Sequence, residues 1–269
     1  MMSYEMHALT DVGQRRQHNE DCVAASPEHG FAILADGMGG YNAGEVASAM
    51  AVGMIGKALE EGMLNMPPAQ IDPQTGYTGE SMLVRSAIEA ANEAIYTAAQ
   101  TRAECAGMGT TVLVAALYGD QITVAHVGDS RMYRLRDRQL SHVTEDHSLV
   151  HEQVRRGLLT ADDARNSRIK NLVTRALGVE PGVEPDLVED IVRPGDIYLM
   201  SSDGLTDVVS DEAIAEVLRT QASRLEKAGR QLIDMANRAG GPDNISVILI
   251  RISEAKQGKV GLLSRLFGR

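Results

Sequence analysis

Between residues 110 and 144 the chain leaves room for little but strand. Residues 110–118, 121–128, 131–136 and 139–144 are runs rich in apolar and β-branched side chains, with Gly119–Asp120 and Gly128–Asp129–Ser130 marking turns between them. A parallel crossover needs a dozen or more residues, and these connections are far shorter. The spacing predicts an antiparallel meander and excludes a doubly wound parallel sheet.

The rest of the chain extends that picture. Residues 4–10 and 21–26 read as short strands around a polar loop, 13–20, and 31–36 (FAILAD) as a buried strand followed by GMGG. A helix is expected over 43–61, with Val46, Met50, Met54 and Leu59 on its apolar face. Residues 62–79 hold three of the eight prolines and read as a loop. A second helix is expected over 80–104, where Leu83, Ala87, Ala91 and Ile95 recur every four residues. The polar stretch 146–180 looks helical in two pieces, with Thr160 and Asp163 at capping-box spacing. Strands return at 187–192 and 196–201, helices at 211–221 and 223–239, and a last strand at 244–252. The order predicts an α+β layered fold: a domain over 1–254 with an insert at about 146–180, then a short tail, 255–269.

Composition narrows the function. The net charge of −11 repels phosphate backbones, so nucleic acid is not an expected partner. Any phosphate site needs local positive charge from a metal or an arginine. Trp is absent and aromatics make up 3%, so aliphatic side chains and the 13 methionines must fill the core. Cys22 and Cys105 form no CxxC pair, and neither a leader-like segment nor a membrane-length apolar run is seen, so a cytoplasmic location is expected.

Several acidic residues sit where apolar strands begin or end. Asp36 and Asp203 close FAILAD and YLMSSD, Asp243 precedes ISVILI, Asp129 follows ITVAHVG, and Glu20–Asp21 opens 21–26. Oxygen donors of this kind suit hard cations such as Mn(II) and Mg(II). Glycine beside the aspartates (Gly37, Gly204, Gly128) would let a metal or phosphate approach the backbone. Each Asp-Gly taken alone is also an ordinary turn dipeptide.

Seven ordered segments then acquire a common meaning. TDVGQRRQHNED (10–21), LADGMGG (34–40), GMGTTV (107–112), VGDSRMY (127–133), TEDHS (144–148), LMSSDGLTD (199–207) and GGPDNISV (240–247) resemble the metal-dependent type 2C protein Ser/Thr phosphatases, bacterial members in particular, across about residues 5–252. The resemblance implies two packed antiparallel β-sheets flanked by helix pairs, a four-layer α-β-β-α sandwich. It also implies two Mn(II) or Mg(II) ions and a weaker third. Asp36 matches the bridging ligand, Gly37 a carbonyl ligand, and Asp203 and Asp243 the remaining direct carboxylates. Glu20 and Asp21 match acids that hold metal-bound water, Asp129 a third-ion ligand shared with Asp203, and Arg16 the phosphate clamp. The implied reaction is in-line attack of a metal-bridging hydroxide on phosphoserine or phosphothreonine of a protein, opposing a cognate bacterial kinase.

Departures and competing readings bear on this. Met38 stands where many eukaryotic members carry a histidine proposed as general acid, and His126 stands where Asn is common, in a position that suits packing between strands. Intact Asp36, Asp203, Asp243 and Arg16 argue against the alternative of a non-catalytic phosphoprotein-binding regulator, while a small-ester hydrolase is a further alternative. Asn42 breaks a dinucleotide-type G-x-G-x-x-G, and no Walker A or G-x-S-x-G is present. His147 and His151 could share a helix face, but H-E-x-x-H is missing. Arg155, Arg156, Arg165, Arg168 and Lys170 make the insert basic, which suits either phosphopeptide selection or an ordinary solvated face, in what the family resemblance implies is a mobile flap. The tail carries Leu262, Leu263, Leu266 and Phe267 among basic residues; packing on its own domain, or fraying, is favoured over membrane contact.

Overall fold

The computed structural model describes residues 2–39, 43–64, 70–160, 163, 167, 169 and 172–254. The tail, Asn42, Arg165, Arg168 and Lys170 lie outside the described residues. In chain order the elements are β1 (Met2–Asp11), β2 (Asp21–Ser26), β3 (Phe31–Met38), α1 (Ala43–Met63), α2 (Gly79–Thr101), β4 (Gly109–Thr110), β5 (Val112–Tyr118), β6 (Gln121–Val127), β7 (Arg131–Arg136), β8 (Gln139–His142), α3 (Leu149–Arg155), β9 (Asp186–Ile191), β10 (Ile197–Ser201), α4 (Asp203–Thr206), α5 (Asp211–Gln221), α6 (Leu225–Arg238) and β11 (Ile245–Glu254).

The strands form two antiparallel sheets, ordered β1-β11-β10-β7-β8 and β2-β3-β5-β6-β9, with β4 paired to β3. The pleat assigns each strand residue to one of two faces. Ala32 and Leu34 of β3 meet Ile248 and Ile250 of β11 in a core between the sheets. Ile33 and Ala35 face the other way, into a core with Ile55 and Leu59 of α1 and Ile88 and Ile95 of α2. Val247 and Leu249 of β11 likewise pack with Ile214 and Leu218 of α5 and Leu232 of α6. These cores define the four layers, helix pair, sheet, sheet and helix pair. The interior is largely aliphatic as composition requires, with Phe31, Tyr133 and Tyr198 among its buried aromatic rings.

Two expectations need correction. The run from 110 to 144 is not one meander. β5 and β6 belong to one sheet and β7 and β8 to the other, so the chain changes sheets at Gly128–Asp129–Ser130. Gly128 has φ +111°, and a Cβ there would stand 2.6 Å from the Thr111 side chain; only glycine makes this crossing cheaply. The alternation of apolar residues is the same whether a chain turns back or changes sheets. In α1 the buried stripe is Ala43, Ala47, Ala51, Ile55 and Leu59, with Met50 partly buried against the same core, rather than Val46 and Met54. Val46 and Met54 are exposed, because small residues let the helix lie close on the sheet. The Thr160–Asp163 pair does bond reciprocally, with Thr160 Oγ1 donating to Asp163 Oδ2 at 2.6 Å and Asp163 N donating back to Thr160 Oγ1 at 3.1 Å.

Candidate active site

The acidic residues picked out at strand boundaries meet at one end of the sandwich, on both sheets. Asp21 and Asp36 are cross-strand partners in the β2–β3 pair. Asp36 does not end its strand: β3 runs on through Gly37 and Met38 to pair with Thr110 and Gly109. That extension is held by Thr111, whose Oγ1 accepts from Asp36 N at 3.0 Å and whose N donates to Asp36 O at 2.8 Å. From the other sheet, Asp203 opens α4 directly after β10 and Asp243 lies just before β11. Asp129 enters at the sheet crossing.

Their charges are coupled. Burial, then the negative charges of Asp21, Asp203, Asp129 and Asp243, drive the Asp36 carboxyl well above the usual carboxylate range. Burial, then Asp129, Asp243, Asp207 and Asp21, does the same to Asp203. Asp21 is pushed up to about 6 by burial, against hydrogen bonds from Ser246 and Ser202 that favour its charged form. Asp129 is also raised to about 6, by burial and then by Asp146. Glu20 is raised, mainly by burial. Asp21 Oδ1 and Asp203 Oδ1 are buried and accept no hydrogen bond. Buried carboxylate oxygens without donors, in a group that repels itself, are the donor set a hard divalent cation satisfies.

Arg16 is the basic member of the group. Its Nη2 donates to Asp243 Oδ2 at 2.7 Å while the side chain remains half exposed. The loop that carries it is pinned closely. Gly13 has φ +78°, and a Cβ there would lie 2.1 Å from the Asp243 carbonyl oxygen. Gln14 N donates to Gly241 O at 2.9 Å.

The sequence analysis missed the residues that hold this arrangement. Asn244 Nδ2 donates to Val12 O at 3.0 Å and His18 O at 2.9 Å, and its Oδ1 accepts from Glu20 N at 2.8 Å. One side chain thus ties both ends of the Arg16 loop to the start of β11. Ser202 Oγ donates to Asp21 Oδ2 at 2.9 Å and accepts from Ser246 N at 3.0 Å, joining the sheets through a ligand candidate. Arg131 grips Asp146 with Nε and Nη2 at 2.6–3.0 Å. The only signal for Asn244 was its place next to Asp243. The glycines also have a different reason from the one expected. A Cβ on Gly37 would lie 2.2 Å from Gly44 O, and one on Gly204 1.9 Å from Asn244 O, so close packing of the chain on itself already demands them.

The family model described as "Protein phosphatase 2C" matches residues 12–237. The chain belongs to the protein phosphatase 2C family. As a member it is a metal-dependent protein Ser/Thr phosphatase, and its layers and sheet pairing are those of the fold. It is similar to the Serine/threonine phosphatase stp of Listeria monocytogenes, 38% identical over 259 residues, covering 94% of this chain and 99% of that one. It is 37% identical over 257 residues to the Protein phosphatase PhpP of Streptococcus pneumoniae, covering 93% and 98%. The crystal structure of the Mycobacterium tuberculosis serine/threonine phosphatase PstP/Ppp superposes with a TM-score of 0.83 at 35% identity, over 94% of this 2C phosphatase and all of that chain. A PstP catalytic domain described in complex with two manganese ions superposes at 0.81, with 36% identity over 94% and 100%.

Proposed function

We propose that this phosphatase holds two Mn(II) or Mg(II) ions through Asp36, the Gly37 carbonyl, Asp203 and Asp243. Glu20 and Asp21 hold metal-bound waters, and Asp129 with Asp203 offers a weaker third position. The observation that carries the reading is the set of coupled carboxylates with orphaned buried oxygens where the two sheets meet. The manganese complex of the related PstP domain supports the choice of metal. When bound, such ions supply a water nucleophile at neutral pH and neutralise charge on the phosphoryl oxygens.

The chain's own residues do the positioning. Arg16 presents a planar guanidinium to the phosphoryl oxygens of a phosphoserine or phosphothreonine. Asn244 fixes the loop on which it stands, and Ser202 keeps the Asp21 carboxylate oriented. Met38 has no proton to give, so the leaving alkoxide takes its proton from water or another group. The insert begins beside the cluster: Asp146 acts on Asp129 electrostatically and is itself clamped by Arg131. Its exposed Arg155 and Arg156 suit a phosphopeptide. The substrates are phosphoproteins, including a kinase that the enzyme opposes. Cys22 and Cys105 are both free thiols, and among the described residues no helix is long and apolar enough to cross a membrane; both suit action in the cytoplasm.

The test is phosphate release from a phosphothreonine peptide with Mn(II), with and without EDTA, beside Asp203→Asn. Release that needs metal and collapses in the variant is expected. Equal release by the variant would remove the carboxylates from the mechanism.

A further inference from the structure

A second group of ligating side chains lies apart from the acidic cluster. His126 in β6 stands opposite Asp186, the first residue of β9, in the strand pair. His147, between β8 and α3, stacks its ring on that of His126, with centroids 4.5 Å apart and planes 26° from parallel. The ring of His147 therefore turns inward to His126 and not toward His151, which lies 3.8 Å from Glu145. Both stacked rings are buried, at 2% and 4% exposure. One nitrogen of each ring and a carboxylate oxygen of Asp186 lie within 4.8 Å of one another.

The hydrogen bonds say which atoms are available. His126 Nε2 is 2.8 Å from the Glu145 carbonyl oxygen, so it carries the proton and donates. His126 Nδ1 is then a bare lone pair, buried and without a partner. His147 Nε2 is also buried, with only a long, poorly aligned contact to Asp186 Oδ2 at 3.3 Å. Arg175 Nη1 holds Asp186 Oδ1 at 2.7 Å and leaves Oδ2 to face the rings. Buried polar atoms are rarely left unpaired, and two on adjacent imidazoles call for an occupant. An imidazole whose second nitrogen donates to a backbone carbonyl is the arrangement metal-ligating histidines adopt. The Asp186 side chain is 46% exposed and gives a way in from solvent.

We infer that His126, His147 and Asp186 form a second metal site, which takes a borderline ion such as Zn(II) through His126 Nδ1, His147 Nε2 and the Asp186 carboxylate. Nitrogen donors separate it from the all-oxygen cluster, which suits harder ions. Burial keeps both imidazoles neutral at pH 7, the form that ligates. Occupancy has a local consequence. In the metal-free protein His147 Nδ1 accepts from Gly128 N at 3.1 Å, so the ring proton sits on Nε2. Binding at Nε2 transfers that proton to Nδ1 with no net release, and the Gly128 amide loses its acceptor. Gly128 precedes Asp129 at the sheet crossing. Filling the site therefore disturbs Asp129 and lowers phosphatase activity.

The experiment uses full-length protein carrying Asp36→Asn and Asp203→Asn, which disables the oxygen cluster. Calorimetry with Zn(II), and the visible spectrum with Co(II), should show one ion per chain with imidazole ligation. Adding His126→Asn should weaken it at least ~10-fold, the loss seen even when an outer partner of a metal ligand is removed. In the otherwise unaltered enzyme saturated with Mn(II), His126→Asn should also blunt inhibition by Zn(II). Thermal unfolding checks that the variants are folded, and Asp186→Asn at the exposed strand start replaces His126→Asn if the latter is not. Failure of the doubly substituted protein to bind an ion, or undiminished binding in a folded ligand variant, overturns the inference.

Discussion

Arg16 Nη2 lies 2.7 Å from Asp243 Oδ2, so the proposed phosphate clamp and a proposed metal ligand are paired with each other. While paired, they hold each other's charge. Arg16→Ala should therefore have opposite effects on the two ligands. Losing a charged hydrogen bond to phosphate costs about 1.5–3 kcal/mol, so kcat/KM on a phosphopeptide should fall ~10–100-fold. Freed of its cation, Asp243 should bind Mn(II) a few-fold more tightly, as read by calorimetry. Weaker Mn(II) binding in Arg16→Ala would mean that the arginine orders the ligand instead of competing for it.

The raised carboxyls predict an unusual pH response. Burial pushes Asp21 and Asp129 up to about 6 in the folded chain, and burial with the neighbouring carboxylates also drives Asp36 and Asp203 well above the usual carboxylate range. Unfolded aspartates titrate at about 4. Between those values the folded state binds more protons than the unfolded one, so this contribution to stability is full below about pH 4 and is lost as pH rises through about 6 and beyond. The Tm of metal-free protein should fall from pH 4.5 to pH 7 (roughly the window set by these pKa values), and Mn(II) should restore it at pH 7. Asp36→Asn should flatten the slope and raise the metal-free Tm at pH 7 while abolishing activity. A slope unchanged by the variant would show that other groups set it.

How much of this was readable from the sequence differs by residue. Asp203 and Asp243 could be singled out because each stands where an apolar strand meets a turn, and Asp36 because an apolar run ends on it in the sequence, although β3 continues past it to Met38. The antiparallel α+β class followed from short connections, which cannot carry crossovers, whereas the four-layer order came from the family resemblance. Asp129's position at a change of sheets could not be read, because pleat periodicity is the same on either course. Nor could the buried face of α1, where alanines carry no strong hydrophobic signal beside Val46 and Met54. Asn244, Ser202 and the His126–His147 stack depend on contacts between distant segments, to which no local pattern points.

Asn244 should behave as a positioning residue. Its three hydrogen bonds to Val12, His18 and Glu20 span the Arg16 loop. At about 1 kcal/mol each, Asn244→Ala should lower stability by ~2–4 kcal/mol in denaturant unfolding. Loosening a substrate-orienting group by even an ångström can cost ~10²-fold in rate, so kcat/KM should fall by that order at temperatures where the variant is fully folded. Combining Asn244→Ala with Arg16→Ala discriminates the cause. If Asn244 acts by placing Arg16, the double variant is little worse than Arg16→Ala; fully multiplicative losses would assign it a separate role.

Arg155 closes α3 and Arg156 caps it, both exposed, with Arg156 3.7 Å from Glu152. Neither has a structural task that its loss would expose, so Arg155→Ala with Arg156→Ala should leave the Tm within a degree or two, as exposed pairs contribute little. The chain is strongly acidic overall, and a phosphopeptide approaching it meets a repulsive field everywhere except near such basic residues. Two exposed charges are together worth up to about 1 kcal/mol toward an anionic peptide, so kcat/KM on an acidic phosphopeptide should fall ~2–5-fold and the loss should shrink in high salt. A small aryl phosphate reaches the acidic cluster without touching α3, and its hydrolysis should be unchanged. Equal losses on both substrates would move these arginines from peptide selection to the chemistry itself, and no salt dependence would show that their charge is not what the peptide reads.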